Sequence, residues 1–335
     1  MRDGPLGSHD GECMLSVYVP HGASLERVTA EPDAPPPEAA VWIDLVSPTL
    51  QEDKLVERML GIAVPTREEM QEIEVSSRLY VENGARYMTA VLMCHSDTAP
   101  KTTPVTFILA SHKLVTVRYD EPRPFAIVEH KLARLCPPKV SGDSVLMDLL
   151  DAVIDRAADI QERIGGEVDQ ISHTIFEPDE TMGPPSYNDV LKALGRKGDL
   201  TSKVRESLVS IGRLLLFLAN EAESMKWPKD TRTQLQSMQR DVVSLTDHAS
   251  YLSNKITFLL DAMLGVVNIQ QNAIIKIFSV AAVVLMPPTL VASIYGMNFK
   301  HMPELGWPIG YPLALLVMVL AAVLPYMYFK WRKWL

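Results

Sequence analysis

Two groups of side chains in this sequence can do chemistry, and in both that chemistry belongs to oxygen donors. Asp261, Gly265, Asn268, Asn272, Ile275, Ser279, Ala282, Met286, Thr289 and Ser293 recur in steps of three and four, the interval that holds side chains on one face of a helix. All but Ile275 and Met286 are small or polar in an otherwise apolar segment. Such a stripe serves either as the close-packing face of a membrane helix pair or as the wall of a water-filled axis, where carboxamide, carboxylate and hydroxyl oxygens meet hydrated cations. Asp261, Asn268 and Asn272, just before the most apolar stretch, favour the axis. The second group is acidic: between Asp143 and Glu180 eleven Asp and Glu stand against Arg156 and Arg163, with Asp148, Asp151, Asp155, Asp159 and Glu162 at helical spacing. That face is either solvated, since like charges at this spacing cost only a few tenths of a kcal/mol (roughly), or responsive to cations.

Other chemistries lack a basis. The N-terminal part holds no P-loop, GxGxxG, GxSxG or HExxH, so no catalytic residue and no tightly bound cofactor is expected. Lys and Arg total 32 against 41 Asp and Glu, a net charge of −9, which argues against a nucleic-acid partner. Cys13, Cys94 and Cys136 form no CxxC and have no His pair at ligand spacing, so neither a disulfide framework nor a structural zinc site is expected. The start of the chain lacks the basic and apolar regions of a secretory leader.

The elements that must position these residues follow from hydrophobic pattern. Ile277–Tyr295 and Gly310–Phe329 contain no charged side chain, and each is close to the ~20 residues that cross a hydrocarbon core. Aromatic residues, Trp307 and Tyr311 at one border and Tyr328, Trp331 and Trp334 at the other, stand where interfacial belts stand. Lys330, Arg332 and Lys333 make the C-terminal tail basic, which places it, and with two spans the N-terminal bulk as well, on the cytosolic side. A hairpin of two spans cannot enclose an aqueous path, so transport requires a symmetric oligomer. From Lys229 to Met286 there are 58 residues without proline, enough for a helix of about 87 Å. Leu235, Met238, Val242, Leu245, Ala249, Leu252, Ile256, Leu259, Met263 and Val266 form a heptad seam along it, for packing within or between subunits. Upstream, β-prone runs at 14–19, 41–45, 87–94, 105–110 and 114–119 alternate with helical patterns such as 49–60, an α/β pattern. The expected organisation is a flexible tail at 1–12, an α/β cytosolic domain at 13–140, acidic helices at 141–228, a stalk helix at 229–272, a first span at 273–295, an external loop at 296–309, a second span at 310–329 and a basic tail at 330–335.

The first span ends in Tyr295-Gly296-Met297-Asn298, and Met302-Pro303-Glu304 follows shortly. Together with the Pro287-Pro288 helix, the second span and the basic aromatic C-terminus, this resembles the CorA family of magnesium channels, specifically over 229–335 and by domain order over 1–228. The resemblance implies a funnel-shaped homopentamer in a bacterial-type inner or plasma membrane, its first span lining the pore. It implies a selectivity filter at Gly296, Met297 and Asn298, an inner polar ring at Asn272, a pore-facing acid at Asp261, and a hydrophobic gate of Met286, Phe278 and Ile275. Mg²⁺ gives up its octahedral water reluctantly, so a ring of amide and backbone oxygens can hold the hydrated ion through its waters. Permeation of Mg²⁺, with Co²⁺ and Ni²⁺ as further permeants, and closure by cytosolic Mg²⁺ on acidic surfaces follow as expectations, with Asp148, Asp151 and Asp155 as candidate regulatory ligands. Lys300 stands where many relatives carry Glu, which leaves Glu304 as the one external acid per subunit. Two alternatives stay open: a proton-coupled zinc carrier of the same superfamily, whose signature has Ile in place of Met297, and a membrane-anchored scaffold.

Overall fold

The computed structural model describes residues 15–22, 24–29, 37–134, 139–177, 186–297 and 302–332. The expected tail at 1–12, most of the turn from Glu177 to Pro185, and Asn298, Lys300 and Lys333 lie outside the described residues. The chain divides into two compact units, Met1–Phe258 and Leu259–Leu335.

In the first unit β1 (Leu15–His21), β2 (Ser24–Thr29), β3 (Trp42–Val46), β4 (Leu79–Glu82), β5 (Ala85–Cys94), β6 (Lys101–Ala110) and β7 (Lys113–Arg118) form one sheet in the order β2-β1-β3-β7-β6-β5-β4. Every pair is antiparallel except β3 with β7, which runs parallel from Trp42↔Leu114 to Val46↔Arg118. The five strands read from the sequence are all present, and β6 starts four residues earlier than the apolar run. β2 and β4 are additional. They are short and carry Glu26, Arg27 and Glu82, as edge strands do to discourage further pairing, and so lack the apolar run that marks an inner strand.

Seven helices complete this unit or start in it: α1 (Leu50–Leu60), α2 (Arg67–Met70), α3 (Val75–Arg78), α4 (Arg123–Arg134), α5 (Gly142–Phe176), α6 (Tyr187–Glu221) and α7 (Lys229–Tyr295). Thr49 and Glu52 form a reciprocal capping box at the start of α1, and Gly61, at φ 64°, ends it in the left-handed region, where glycine carries no steric penalty. Leu55 and Val56 of α1 pack on Leu15, Val17, Ile43, Leu45, Val115 and Val117. Elsewhere Phe125 of α4 packs beside Trp42 and Phe107. A buried Asp44–Arg118 pair (2.8 Å) joins β3 to β7, with the Thr116 hydroxyl donating to Asp44 and the Trp42 indole donating to Thr116, so the charges are hydrogen-bonded as burial requires.

α5 and α6 are joined by apolar faces that include Val153, Ile160, Ile164, Val204, Leu208 and Ile211, all buried. The α7 seam joins them. Leu235, Met238, Val242, Ala249, Leu252 and Ile256 are buried, and a Cβ added to Gly165, Gly198 or Gly212 would lie 3.3–3.8 Å from Leu252, Ile256 or Val242. Gln161 of α5 donates to the Leu245 carbonyl (2.9 Å) and meets His248 Nδ1 (2.8 Å). The seam therefore packs within the subunit. α7 runs for 67 residues, about 100 Å, nine beyond Met286 and through Pro287-Pro288. Each proline lacks an N–H and frees the carbonyl four residues earlier. Just past the pair, the Thr289 hydroxyl donates to the Leu285 carbonyl (2.7 Å).

The second unit contains the remainder of α7, a short 3₁₀ turn at Pro303–Gly306 and α8 (Gly310–Trp331). Its apolar windows on α7 and α8 have a mean hydropathy of 2.1 and only 6% of each is buried. A core helix of a soluble domain would be covered, whereas helices of this length and composition left bare suit a bilayer.

Candidate functional site

All ten stripe positions from Asp261 to Ser293 lie on one uninterrupted helix. At the ideal helical repeat they span about 48 Å and fall within a sector of about 120°. All ten are exposed in the single chain. Phe278 falls at the edge of the sector, and it is exposed as well, as are Ile275 and Met286. Beyond Met263, the described residues of this unit include only two buried ones, Val280 and Ala314. The stripe is thus a bare, mixed face: one carboxylate (Asp261), two carboxamides (Asn268 and Asn272), then small and hydroxyl residues interrupted by Ile275 and Met286. Repeated around an axis, it would give a polar end at Asp261, a middle narrowed by Ile275 and Met286, and a hydroxyl-lined end at Thr289 and Ser293.

α7 ends at the expected Gly-Met-Asn. The Gly296 N–H donates to the Ala292 carbonyl (2.9 Å) and the Met297 N–H to Ile294 (3.3 Å). A Cβ on Gly296 would stand 3.2 Å from the Ala292 oxygen, so the small residue lets the last turn close tightly. Met297 is exposed. Asn298 lies outside the described residues, and Glu304 sits on the 3₁₀ turn.

The acidic group is more divided than its spacing implies. Lys131 pairs with Asp148 (2.7 Å), Lys197 with Glu167, Lys255 with Asp169, and His173 meets Glu177. Asp143 is engaged by His112 (2.8 Å) and by the Trp227 indole (2.9 Å). Asp151, half-buried, has its pKa raised, first by burial and then by Asp155, with Asp148 and Asp241 of α7 adding to the rise against Lys131. Asp241 is a neighbour that no spacing argument on α5 could have supplied. Among the described residues no group of three or more His, Cys, Asp or Glu is arranged to hold a metal ion within one chain. A cleft of about 830 Å³, lined by no stripe residue, lies between the β5–β6 loop and helices α5 and α6. Its charges are largely paired internally: Asp97 accepts from Arg156 and Arg163, and the Arg163 contact holds its carboxyl below the usual range.

A family described as CorA-like Mg2+ transporter protein matches residues 37–331. The magnesium transport protein CorA of Escherichia coli (strain K12) is 37% identical over 326 residues, 96% of this chain and 100% of that protein. The magnesium transport protein CorA of Pectobacterium atrosepticum is 35% identical over 323 residues, again 96% and 100%. Among solved structures, the complete CorA magnesium transporter of Methanocaldococcus jannaschii superposes with a TM-score of 0.75 at 17% identity, covering 97% of this chain and 100% of that one. That likeness establishes a shared fold: an N-terminal α/β sheet domain, a long helix and two apolar C-terminal helices.

Proposed function

The chain belongs to the CorA family of magnesium transport proteins, and from that premise we propose that it is a passive Mg²⁺ influx channel in a bacterial-type inner or plasma membrane, both termini cytosolic. The observation that carries this reading is the exposed stripe from Asp261 to Ser293, which runs into the apolar, bare C-terminal part of α7. Polar groups at such depth face water rather than lipid, and one chain offers only one wall, so the stripe asks for symmetric copies of itself. A homopentamer supplies them.

In this channel the hydrated ion meets Gly296, Met297 and Asn298 first. Amide and carbonyl oxygens accept from its waters and spare it the loss of its shell. Carboxylates at the same place would hold a divalent cation too long for release. Ile275, Phe278 and Met286 form the constriction, which closes by dewetting rather than by charge, while Asn272 and Asp261 receive the ion on the cytosolic side. Co²⁺ and Ni²⁺, which share charge and octahedral hydration with Mg²⁺, also pass. Cytosolic Mg²⁺ closes the pore by bridging acidic surfaces of neighbouring subunits, with Asp151 and Asp155 as the better candidates because Lys131 already occupies Asp148. The test is growth of a strain lacking its own magnesium transporters in Mg²⁺-poor medium. The parent chain restores growth, and Asn298→Ala, inserted and assembled to the same level, does not; rescue by Asn298→Ala equal to that of the parent contradicts the filter assignment.

A further inference from the structure

The turn from which α7 starts is bolted to the sheet domain by side-chain hydrogen bonds. Asp143, the second residue of α5, accepts from the Trp227 indole Nε1 through one oxygen (2.9 Å), and its other oxygen meets His112 Nδ1 in the β6–β7 turn (2.8 Å). One carboxylate thus joins its own helix to two segments that lie 31 and 84 residues from it in the sequence. The backbone beneath is locked: the Gly142 N–H donates to the His112 carbonyl (2.7 Å), and a Cβ on Gly142 would stand 2.4–2.6 Å from the backbone of His112, Lys113 and Leu114. Trp227 is buried and stands two residues before Lys229, the first residue of α7. On its other side the same turn is held by Arg86 of β5, which donates to Ser224 (3.0 Å) and to Glu221 (3.4 Å).

α5 does not need Asp143 as its cap, because Ser141 and Ser144 already form the capping box. The carboxylate is free for the junction, and a charged acceptor gives the stronger kind of hydrogen bond. We propose that Asp143 is a positioning residue for the pore helix: it fixes the height and rotation at which α7 leaves the sheet domain, so that a displacement of the sheet or of α5 reaches α7 through its first turn. This rests on the reading that cytosolic Mg²⁺ closes the channel. Apolar packing along α7 holds the helix sideways, and the Asp143 and Arg86 contacts supply the directional tie at its start.

The test uses the full chain in proteoliposomes with the cytosolic face outward. Three quantities are read: the Mg²⁺ concentration that half-closes the pore, the thermal midpoint, and hydrogen exchange at the amides of α7's first turn. Asp143→Ala should raise the half-closing Mg²⁺ about fivefold, the low end of ordinary coupling between sites, while flux at low Mg²⁺ persists and the amides of 229–232 exchange faster. Asp143→Asn keeps an acceptor for the indole and should return both quantities toward the parent. A lowered thermal midpoint with an unmoved half-closing concentration makes Asp143 merely structural and overturns the proposal. If Asp143→Ala does not fold, Trp227→Phe keeps an aromatic side chain at the turn while removing the indole N–H, and an unshifted half-closing concentration in that variant overturns it equally. If the parent does not close with Mg²⁺ at all, the closure reading fails by itself; exchange at 229–232 then decides about Asp143, and exchange unchanged in Asp143→Ala refutes the positioning role.

Discussion

Met286 and Asp53 show how far a single side chain's role depends on what surrounds it. Met286 is an exposed apolar residue on a polar stripe, a combination that costs a lone helix in water but suits a ring that expels water from a closed pore. Met286→Asp should therefore leak cations at cytosolic Mg²⁺ levels that shut the parent; flux as strongly inhibited as the parent's would make Met286 packing rather than gate. Asp53 is different: one carboxylate oxygen is buried without a hydrogen-bond partner among the described residues, and burial, then Glu57 and Glu52, push its pKa from 3.8 up to about 6. The folded chain therefore holds this proton more tightly than the unfolded chain, so its contribution to stability is full below the ordinary value and is lost as pH rises through about 6. Asp53→Asn should remove that loss and raise stability near pH 7 by about 1 kcal/mol, reduced from the full linkage value because the group is only half-buried; urea unfolding at pH 4 and pH 7 checks it, and an equal effect at both contradicts it. The stripe was legible residue by residue because its signal is local, a spacing of three and four. Asp143 was not. In the sequence it is one of eleven acids, and its role depends on partners brought in by folding from His112 and Trp227.

The elements were readable wherever their period was strong and their neighbours ordinary. Five strands, α1, the break before Lys229 and the two apolar helices each follow from apolar runs or prolines. β2 and β4 escaped because edge strands are short and charged for the same physical reason that makes them safe edges. The end of α7 was legible as well: the first span reads to Tyr295, and the helix runs through Pro287-Pro288 to that residue. The heptad seam left open whether it packs within or between subunits, and burial against α5 and α6 answers it. Leu252, buried and close to Gly165 of α5, is its most direct test. Leu252→Ala should cost about 3 kcal/mol, within the usual range for truncating a fully buried leucine, and chemical unfolding of the detergent-solubilised chain measures it. A cost under about 0.5 kcal/mol, the range of surface substitutions, would mean that the seam is not packed as described.

For the whole molecule, the division into an acidic α/β and helical unit followed by an apolar unit bare of its own packing is what composition and hydropathy announced, with a net charge of −9 pointing away from nucleic acid. The assembly that covers the bare surface was not readable from periodicity, since a stripe states that it faces something and not how many copies face it. On the function proposed above, Mg²⁺ passes through this chain down its own gradient. The most direct measurement is entry of Mg²⁺ into proteoliposomes that contain only the purified chain and a trapped magnesium indicator, with no proton gradient imposed. Rapid entry that follows the Mg²⁺ gradient and is abolished by Asn298→Ala is expected. No entry with correctly inserted oligomers, or entry only when a proton gradient is supplied, would contradict it.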